Sequence, residues 1–302
     1  MSDSEHVESS ANQEATGLVD VHRQQYGPDA DPIRVMVIAF EGWNDAGDAA
    51  TDSLRAIRDQ WPHETLDIVE SDDFYDFQFT RPSIMFSTDG SRRLRWPRTK
   101  YVGVDNPETD VELVIVTSVE PSYHWRSFAK DVIARAVEWD IDYLVLVGAL
   151  LADVPHTRPM PVTKTSENAD IRDALGFEKP TYQGPVGIPS VLAEAAEDAD
   201  IPTVSIWVAV PHYVSQAPSP KAQLAVLGAL EEILQVHVNV EDIAEDAHAW
   251  ERGVNELATE DPEVANYVRQ LEEAKDTADL PEASGESIAR EFERYLRKRK
   301  DP

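Results

Sequence analysis

The chain contains no cysteine, which excludes disulfides, thiol nucleophiles and thiolate metal sites in one step. It has no long apolar run either. The longest uncharged one, Tyr143 to Ala152, falls far short of the roughly 20 residues a helix needs to cross a bilayer. The N-terminus, Met1-Ser2-Asp3-Ser4-Glu5, is acidic and lacks an apolar core, so no secretory signal is expected. Several chemical signatures are missing as well. There is no Gly-x-Ser-x-Gly elbow, which argues against an α/β-hydrolase. There is no Walker loop and no Gly-x-Gly-x-x-Gly, so nucleotide use by those routes is not expected. His156, His212 and Glu120 could bind a divalent metal in principle, but no close-spaced ligand pair supports one. Neither metal nor cofactor is expected.

Positive charge is also scarce. The chain has 57 acidic against 27 basic residues, a formal net charge of −30. Phosphate recognition needs clustered Lys and Arg, so neither nucleic acid nor an anionic membrane is an expected partner. The expectation is a soluble cytoplasmic protein. One dense basic segment stands out, Arg92-Arg93-Leu94-Arg95-Trp96-Pro97-Arg98. Interleaved Arg and Trp can stack on nucleic acid, but one patch cannot offset the global repulsion. We expect these arginines to pair with the chain's own acidic loops, such as Asp72, Asp73 and Asp76, or with a neighbouring subunit.

At 302 residues and 42% apolar, the chain can bury one large core with an appendage. Residues 1–30 are polar, acidic and without period, and read as a disordered arm. Over 31–238 apolar strands alternate with helical patterns. Strands are expected at Arg34–Phe40, Leu66–Ser71, Ile84–Ser87, Arg92–Trp96, Leu113–Val119, Tyr143–Gly148 and Thr203–Ala209. Helices are expected at Ala46–Gln60, Ser122–Trp139, Ile171–Leu175, Pro189–Ala199 and Pro220–Leu234. The strands at Arg34, Leu113, Tyr143 and Thr203 are nearly continuous apolar runs, as parallel strands covered on both faces require. This predicts a three-layer α/β domain with a mostly parallel sheet. Asp89-Gly90 between two short β-prone runs predicts a hairpin. Residues 239–302 form an acidic helical extension. Its sparse apolar stripe, Ala244, Ala247, Trp250, Val254 and Leu257, must be covered by the core or by another subunit. Asp261-Pro262 marks a new helix start, with Pro at N1, and Ser287–Lys300 reads as a last helix.

The most informative stretch is Phe40-Glu41-Gly42-Trp43-Asn44-Asp45-Ala46-Gly47-Asp48-Ala49-Ala50, a tight turn from the first strand into the first helix of the domain. Asn44 or Asp45 suits the N-cap, accepting an orphan backbone N–H of the first turn. Further irregular blocks follow in order: Gly148 to Pro159, Tyr182 to Ser190, and Trp207 to Ser219. Together these blocks resemble the PAC2 family, named for a proteasome assembly chaperone, over roughly residues 33–235, with the actinobacterial branch the closest resemblance. The resemblance implies a phosphorylase/hydrolase-like α/β core with no settled enzymatic activity, and an assembly-chaperone role in those members with an assigned job. It also implies self-association, as members of this branch form closed rings such as trimers. The long acidic C-terminal segment departs from the short eukaryotic-type chaperones.

In an open parallel sheet, ligands sit beyond the carboxyl ends of the strands. This chain places Glu41, Trp43, Asp45, Glu120, His156, Arg158 and His212 there. His156 and His212 each follow a proline in a loop, where imidazole can act as acid, base or anion contact. No catalytic residue is assigned. Two functions compete. The first is a protein-interaction or assembly-chaperone-like oligomer, possessing no catalytic motif. The alternative is a small-molecule enzyme with a nucleoside-phosphorylase-like pocket built from Glu41, Asp45, His156, Arg158 and His212. A deep pocket in which these five converge would favour the enzyme, and a plugged crevice the interaction protein.

Overall fold

Apolar residues on both faces of a strand require a layer on each side. The strand β1 (Ile33–Glu41) shows this directly. Val35, Val37 and Ala39 enter one buried cluster, while Met36, Ile38 and Phe40 enter another on the opposite face. A computed structural model describes residues 15–70, 72–106 and 109–278. The strands β2 (His63–Val69), β5 (Thr99–Val104), β6 (Val111–Val119), β7 (Tyr143–Ala152), β8 (Val162–Ser166) and β9 (Thr203–Pro211) complete the central sheet with β1. The order is β2-β5-β6-β1-β7-β9-β8. The central four, β6-β1-β7-β9, run parallel, and antiparallel strands flank them on both sides. The helices α1 (Leu18–Tyr26), α2 (Ala49–Gln60) and α6 (Pro220–Leu234) cover one face. The other is covered by α3 (Trp125–Glu138) and α5 (Ile188–Glu197), completing the three-layer α/β architecture.

Register explains one glycine. Gly148 of β7 lies opposite Trp207 of β9, and a Cβ there would come within 2.5 Å of the indole. The small residue in this strand is therefore a packing requirement set by the neighbouring ring.

Four expectations need correction or completion. Residues 1–30 do not read correctly as one disordered arm: 1–14 lie outside the described residues, but α1 is a helix with Leu18, Val19 and Val21 buried. Its backbone meets the end of α6, where Gln235 accepts the Asp20 N–H and donates to its carboxylate. Strands β5 and β8 were not expected. Both are short antiparallel strands carrying Lys and Thr among the apolar positions, which hides their period. The hairpin of β3 (Ser83–Phe86) and β4 (Arg92–Arg95) does form, turning at Gly90 with φ of 79°. Of the arginines in this segment, one pairs with an acidic loop of the chain among the described residues. Arg98 reaches Glu70 at 3.5 Å, while Arg92, Arg93 and Arg95 make no ion pair among the described residues.

The C-terminal extension folds back. Two helices, α7 (Glu241–Glu260) and α8 (Pro262–Ala278), follow α6. α7 packs on α6, with Val254 and Ala247 buried and Trp250 against the core. Most of its apolar stripe is thus covered within the chain; Leu257 alone of the stripe stays well exposed. The expected Ser287–Lys300 helix lies outside the described residues.

Candidate functional site

The turn after β1 is held by its own side chains. Gly42, at φ of 114°, swings the chain out of the strand, and the Glu41 carboxylate binds the Arg55 guanidinium of α2. Trp43 is left 69% exposed, whereas Asn44 and Asp45 are buried. One oxygen of Asp45 accepts the N–H groups of Ala50 and Thr51 at 2.8 and 3.3 Å, and the other accepts the Thr51 hydroxyl at 2.5 Å. The carboxylate therefore caps α2 from outside, across a 3₁₀ turn at Ala46–Asp48. Gly47 in that turn has φ of 62°, and a Cβ would meet Ser219 at 2.6 Å, where α6 begins. Burial pushes the Asp45 carboxyl up to about 6, against the lowering effect of its three hydrogen bonds.

Asn44 is the residue that sequence reasoning undervalued. Its amide donates to Glu120 at 2.7 Å, and the same Glu120 oxygen accepts the Ile188 N–H at the start of α5 at 2.9 Å. Its backbone carbonyl accepts the Ala149 N–H of β7 at 2.8 Å. One asparagine thus joins β1, the end of β6, β7 and α5. Its side-chain oxygen has no hydrogen-bond partner among the described residues and lies 2.2 Å from where a Cβ of Gly187 would stand. Gly187 is required by that contact.

His156, Arg158 and His212 form a second group, claimed by the C-terminal helices. His156 is fully buried. The Tyr213 hydroxyl accepts the His156 backbone N–H at 2.8 Å and sits 2.8 Å from Nδ1, while Nε2 lies 3.1 Å from the Asn255 carbonyl oxygen of α7. A hydroxyl that accepts one bond donates its proton to Nδ1, which leaves Nε2–H to donate to Asn255. Burial holds the imidazole below its ordinary pKa, as befits a neutral ring. Lys221 of α6 donates to the His156 carbonyl and to Glu251 of α7, both at 2.5 Å. Arg158 grips Asp276 of α8 bidentately at 2.8 and 2.7 Å and reaches Glu272 at 3.3 Å. His212 pairs with Asp153 at 3.1 Å, and the Tyr267 hydroxyl of α8 donates to the same carboxylate.

The seven candidates therefore separate into two hydrogen-bonded groups. Glu41, Asp45 and Glu120 belong to the turn around Asn44, with Trp43 pointing out beside them. The two histidines and Arg158 lie under α7 and α8. No hydrogen bond or ion pair joins the two groups among the described residues, and the one guanidinium suited to an anion is occupied by the chain's own carboxylates. The partners that sequence reasoning missed are Asn255, Lys221, Glu251, Tyr267, Glu272 and Asp276. The spacing of Glu251 with Asn255, and of Glu272 with Asp276, places each pair on one helix face, which is the signal that could have found them.

Around the filled strand ends, apolar side chains face outward. Trp43 precedes Asn44, the exposed Leu150 and Leu151 follow Ala149, and Val186 precedes Gly187; Tyr182 beyond them is 71% exposed. An open groove of about 740 Å³ lies instead at the opposite, amino ends of the parallel strands, lined by Arg34, Glu64, Leu66, Glu112 and Trp139 among others. No group of three or more His, Asp or Glu with metal-binding geometry exists among the described residues, and none of the described helices is long and apolar enough to cross a membrane.

The family model for the PAC2 family matches residues 39–258. A crystal structure of a PAC2 family protein from Streptomyces avermitilis is 44% identical, covering 78% of this chain and 99% of that one, with a TM-score of 0.73. A proteasome-assembly chaperone homologue from Mycobacterium tuberculosis is 41% identical over 78% of this chain and 99% of that one, with a TM-score of 0.70. An archaeal proteasome activator from Pyrococcus furiosus shares the fold at 14% identity, covering 76% of this chain and 95% of that one, with a TM-score of 0.61. No curated protein matches the chain.

Proposed function

The chain belongs to the PAC2 family, and on that premise we propose that it is an assembly-chaperone-like protein that acts through protein contacts. One observation carries this reading above the enzymatic one: the strand carboxyl ends, where an α/β enzyme keeps its pocket, are filled by the chain's own Asn44, Asp45 and His156. The rim of exposed Trp43, Leu150, Leu151, Tyr182 and Val186 offers the apolar anchors that protein interfaces use. Of the seven candidate residues, Trp43 is the one we assign to partner contact. The other six hold the turn and the C-terminal helices in place. The Mycobacterium tuberculosis relative, a proteasome-assembly chaperone homologue, supports proteasome subunits or their assembly intermediates as the partner. The acidic, cysteine-free composition supports a cytoplasmic location, and self-association into a closed homo-oligomer such as a trimer completes the reading.

Affinity capture from the native cytoplasm tests it, using the wild type and a Trp43→Ser/Leu151→Ser double variant. We expect the wild type to retain a stoichiometric protein partner, and the variant to lose it while melting at the same temperature. A wild type that retains nothing, or a variant that retains the same partner, would overturn the assignment.

A further inference from the structure

Two surfaces of this chain remain unsatisfied, and their chemistries match. The first is the β3–β4 hairpin, which stands apart from the central sheet with all eight strand residues exposed. Its register puts Ile84, Phe86, Leu94 and Arg92 on one face, and Met85, Arg93 and Arg95 on the other. A two-stranded hairpin is marginal by itself in water, and a soluble monomer rarely displays so continuous an apolar strip. In a chain of net charge −30, Arg92, Arg93 and Arg95 make no ion pair among the described residues, Arg93 donating only to the Ser87 hydroxyl at 3.1 Å.

The second surface is the 740 Å³ groove at the amino ends of the parallel strands. Its apolar part includes Leu66, on the edge strand β2, and Trp139. Arg34 is already engaged by Glu112 and Asp140. Glu64, Asp105 and Glu138, also in the lining, make no ion pair among the described residues. Three carboxylates without an ion pair beside an apolar floor answer three guanidinium groups without one on the hairpin, Arg92 beside the apolar strip and Arg93 and Arg95 on the opposite face.

The groove cannot be served by the hairpin of the same molecule as it stands. His63 of β2 pairs with Val104 at the groove, whereas Val69 pairs with Thr99 at the end from which the hairpin departs. Those ends are about 20 Å apart along the strand at roughly 3.3 Å per residue. Resting on the proposed self-association and specifying its surface, we propose that the β3–β4 hairpin of one copy docks into the Glu64–Asp105–Glu138 groove of a second copy. The contact is heterologous, joining two different patches, so repetition closes a ring or continues as a chain. Charge complementarity sets which copies meet, and the apolar strip supplies the buried contact.

Light scattering after size exclusion tests this with charge reversal on each side. The hairpin variant is Arg92→Glu/Arg93→Glu/Arg95→Glu, and the groove variant is Glu64→Lys/Asp105→Lys/Glu138→Lys. A third chain carries all six changes. The substituted side chains are exposed, and thermal melts monitor folding. We expect an oligomeric wild type, association weakened at least tenfold in each single-sided variant, and recovery in the six-fold variant, whose acidic hairpin faces a basic groove. Failure of that recovery overturns the docking. A wild-type oligomer untouched by either reversal overturns the docking and leaves self-association standing. A wild type that stays monomeric overturns both, including the case in which the same arginines bind a different acidic protein.

Discussion

Replacing Asp45 with asparagine is expected to stabilise this protein above neutral pH. The Asp45 carboxylate is buried, and its pKa is raised from an ordinary 3.8 to about 6, desolvation outweighing three hydrogen bonds. Between those two values the folded chain holds a proton that the unfolded chain has released, so the contribution of this group to stability falls as pH rises through the window. At 1.36 kcal/mol per tenfold change in proton affinity, the penalty above the window is about 3 kcal/mol. Asparagine keeps the shape: its carbonyl can accept from Ala50 and Thr51, and its amide can donate to the Thr51 hydroxyl. Asp45→Asn should therefore exceed the wild type by up to about 3 kcal/mol near pH 7.5, by roughly half that near pH 5, and by less than about 1 kcal/mol near pH 4. Asp45→Ala, which strands three buried donors, should fall about 1–3 kcal/mol below the asparagine variant. Urea denaturation followed by tryptophan fluorescence at the three pH values measures this. Self-repulsion from the net charge of −30 changes with pH in both proteins, so the difference between them isolates Asp45. A less stable Asp45→Asn near pH 7.5, or a gap that does not change with pH, refutes the account.

Gly187→Ala should cost about 1–3 kcal/mol in thermal or urea melts, because its Cβ would stand 2.2 Å from the Asn44 side-chain oxygen; unchanged stability would remove Asn44 as the joint between β1 and α5. Tyr213→Phe should cost a similar amount, about 1–3 kcal/mol, by leaving the His156 backbone N–H and Nδ1 unpartnered. Because burial lowers the pKa of His156, the stability it contributes is complete above its ordinary value and is lost as pH falls below it, so His156→Gln should flatten the decline below about pH 6.5. Glu272→Ala/Asp276→Ala removes a part-buried and an exposed partner of Arg158 and should change global stability by less than about 1 kcal/mol per pair, while amide hydrogen exchange at residues 154–158 accelerates.

The parts of this molecule that were legible in its sequence are those where one local rule decides the outcome. The strands β1, β6, β7 and β9 are apolar on both faces because a helix layer covers each face, and that reads directly as a continuous run. Asp89-Gly90 reads as a hairpin turn because only certain residues tolerate the left-handed backbone at Gly90. The helix α1 and the strands β5 and β8 failed that test. Leu18, Val19 and Val21 are too few to give a period, and β5 and β8 interleave Lys and Thr with the residues they bury. Asp45 was legible as a type of residue, a cap, yet its partners at Ala50 and Thr51 depend on the 3₁₀ turn that Gly47 permits against Ser219.

The C-terminal helices show the sharper limit. A chain so uniformly acidic makes Glu251, Glu272 and Asp276 look like a solvated face, and only the fold reveals that Lys221 and Arg158 wait opposite them. His156 and Asn255 lie 99 residues apart in sequence, so no local pattern links them. Placing Glu251, Glu272 and Asp276 on the extension, opposite Lys221 and Arg158 of the core, lets the last two described helices close the strand ends. The same scarcity of cations makes the arginines of β4 informative, since a chain with so few positive charges leaves three of them exposed on one hairpin with no ion pair among the described residues.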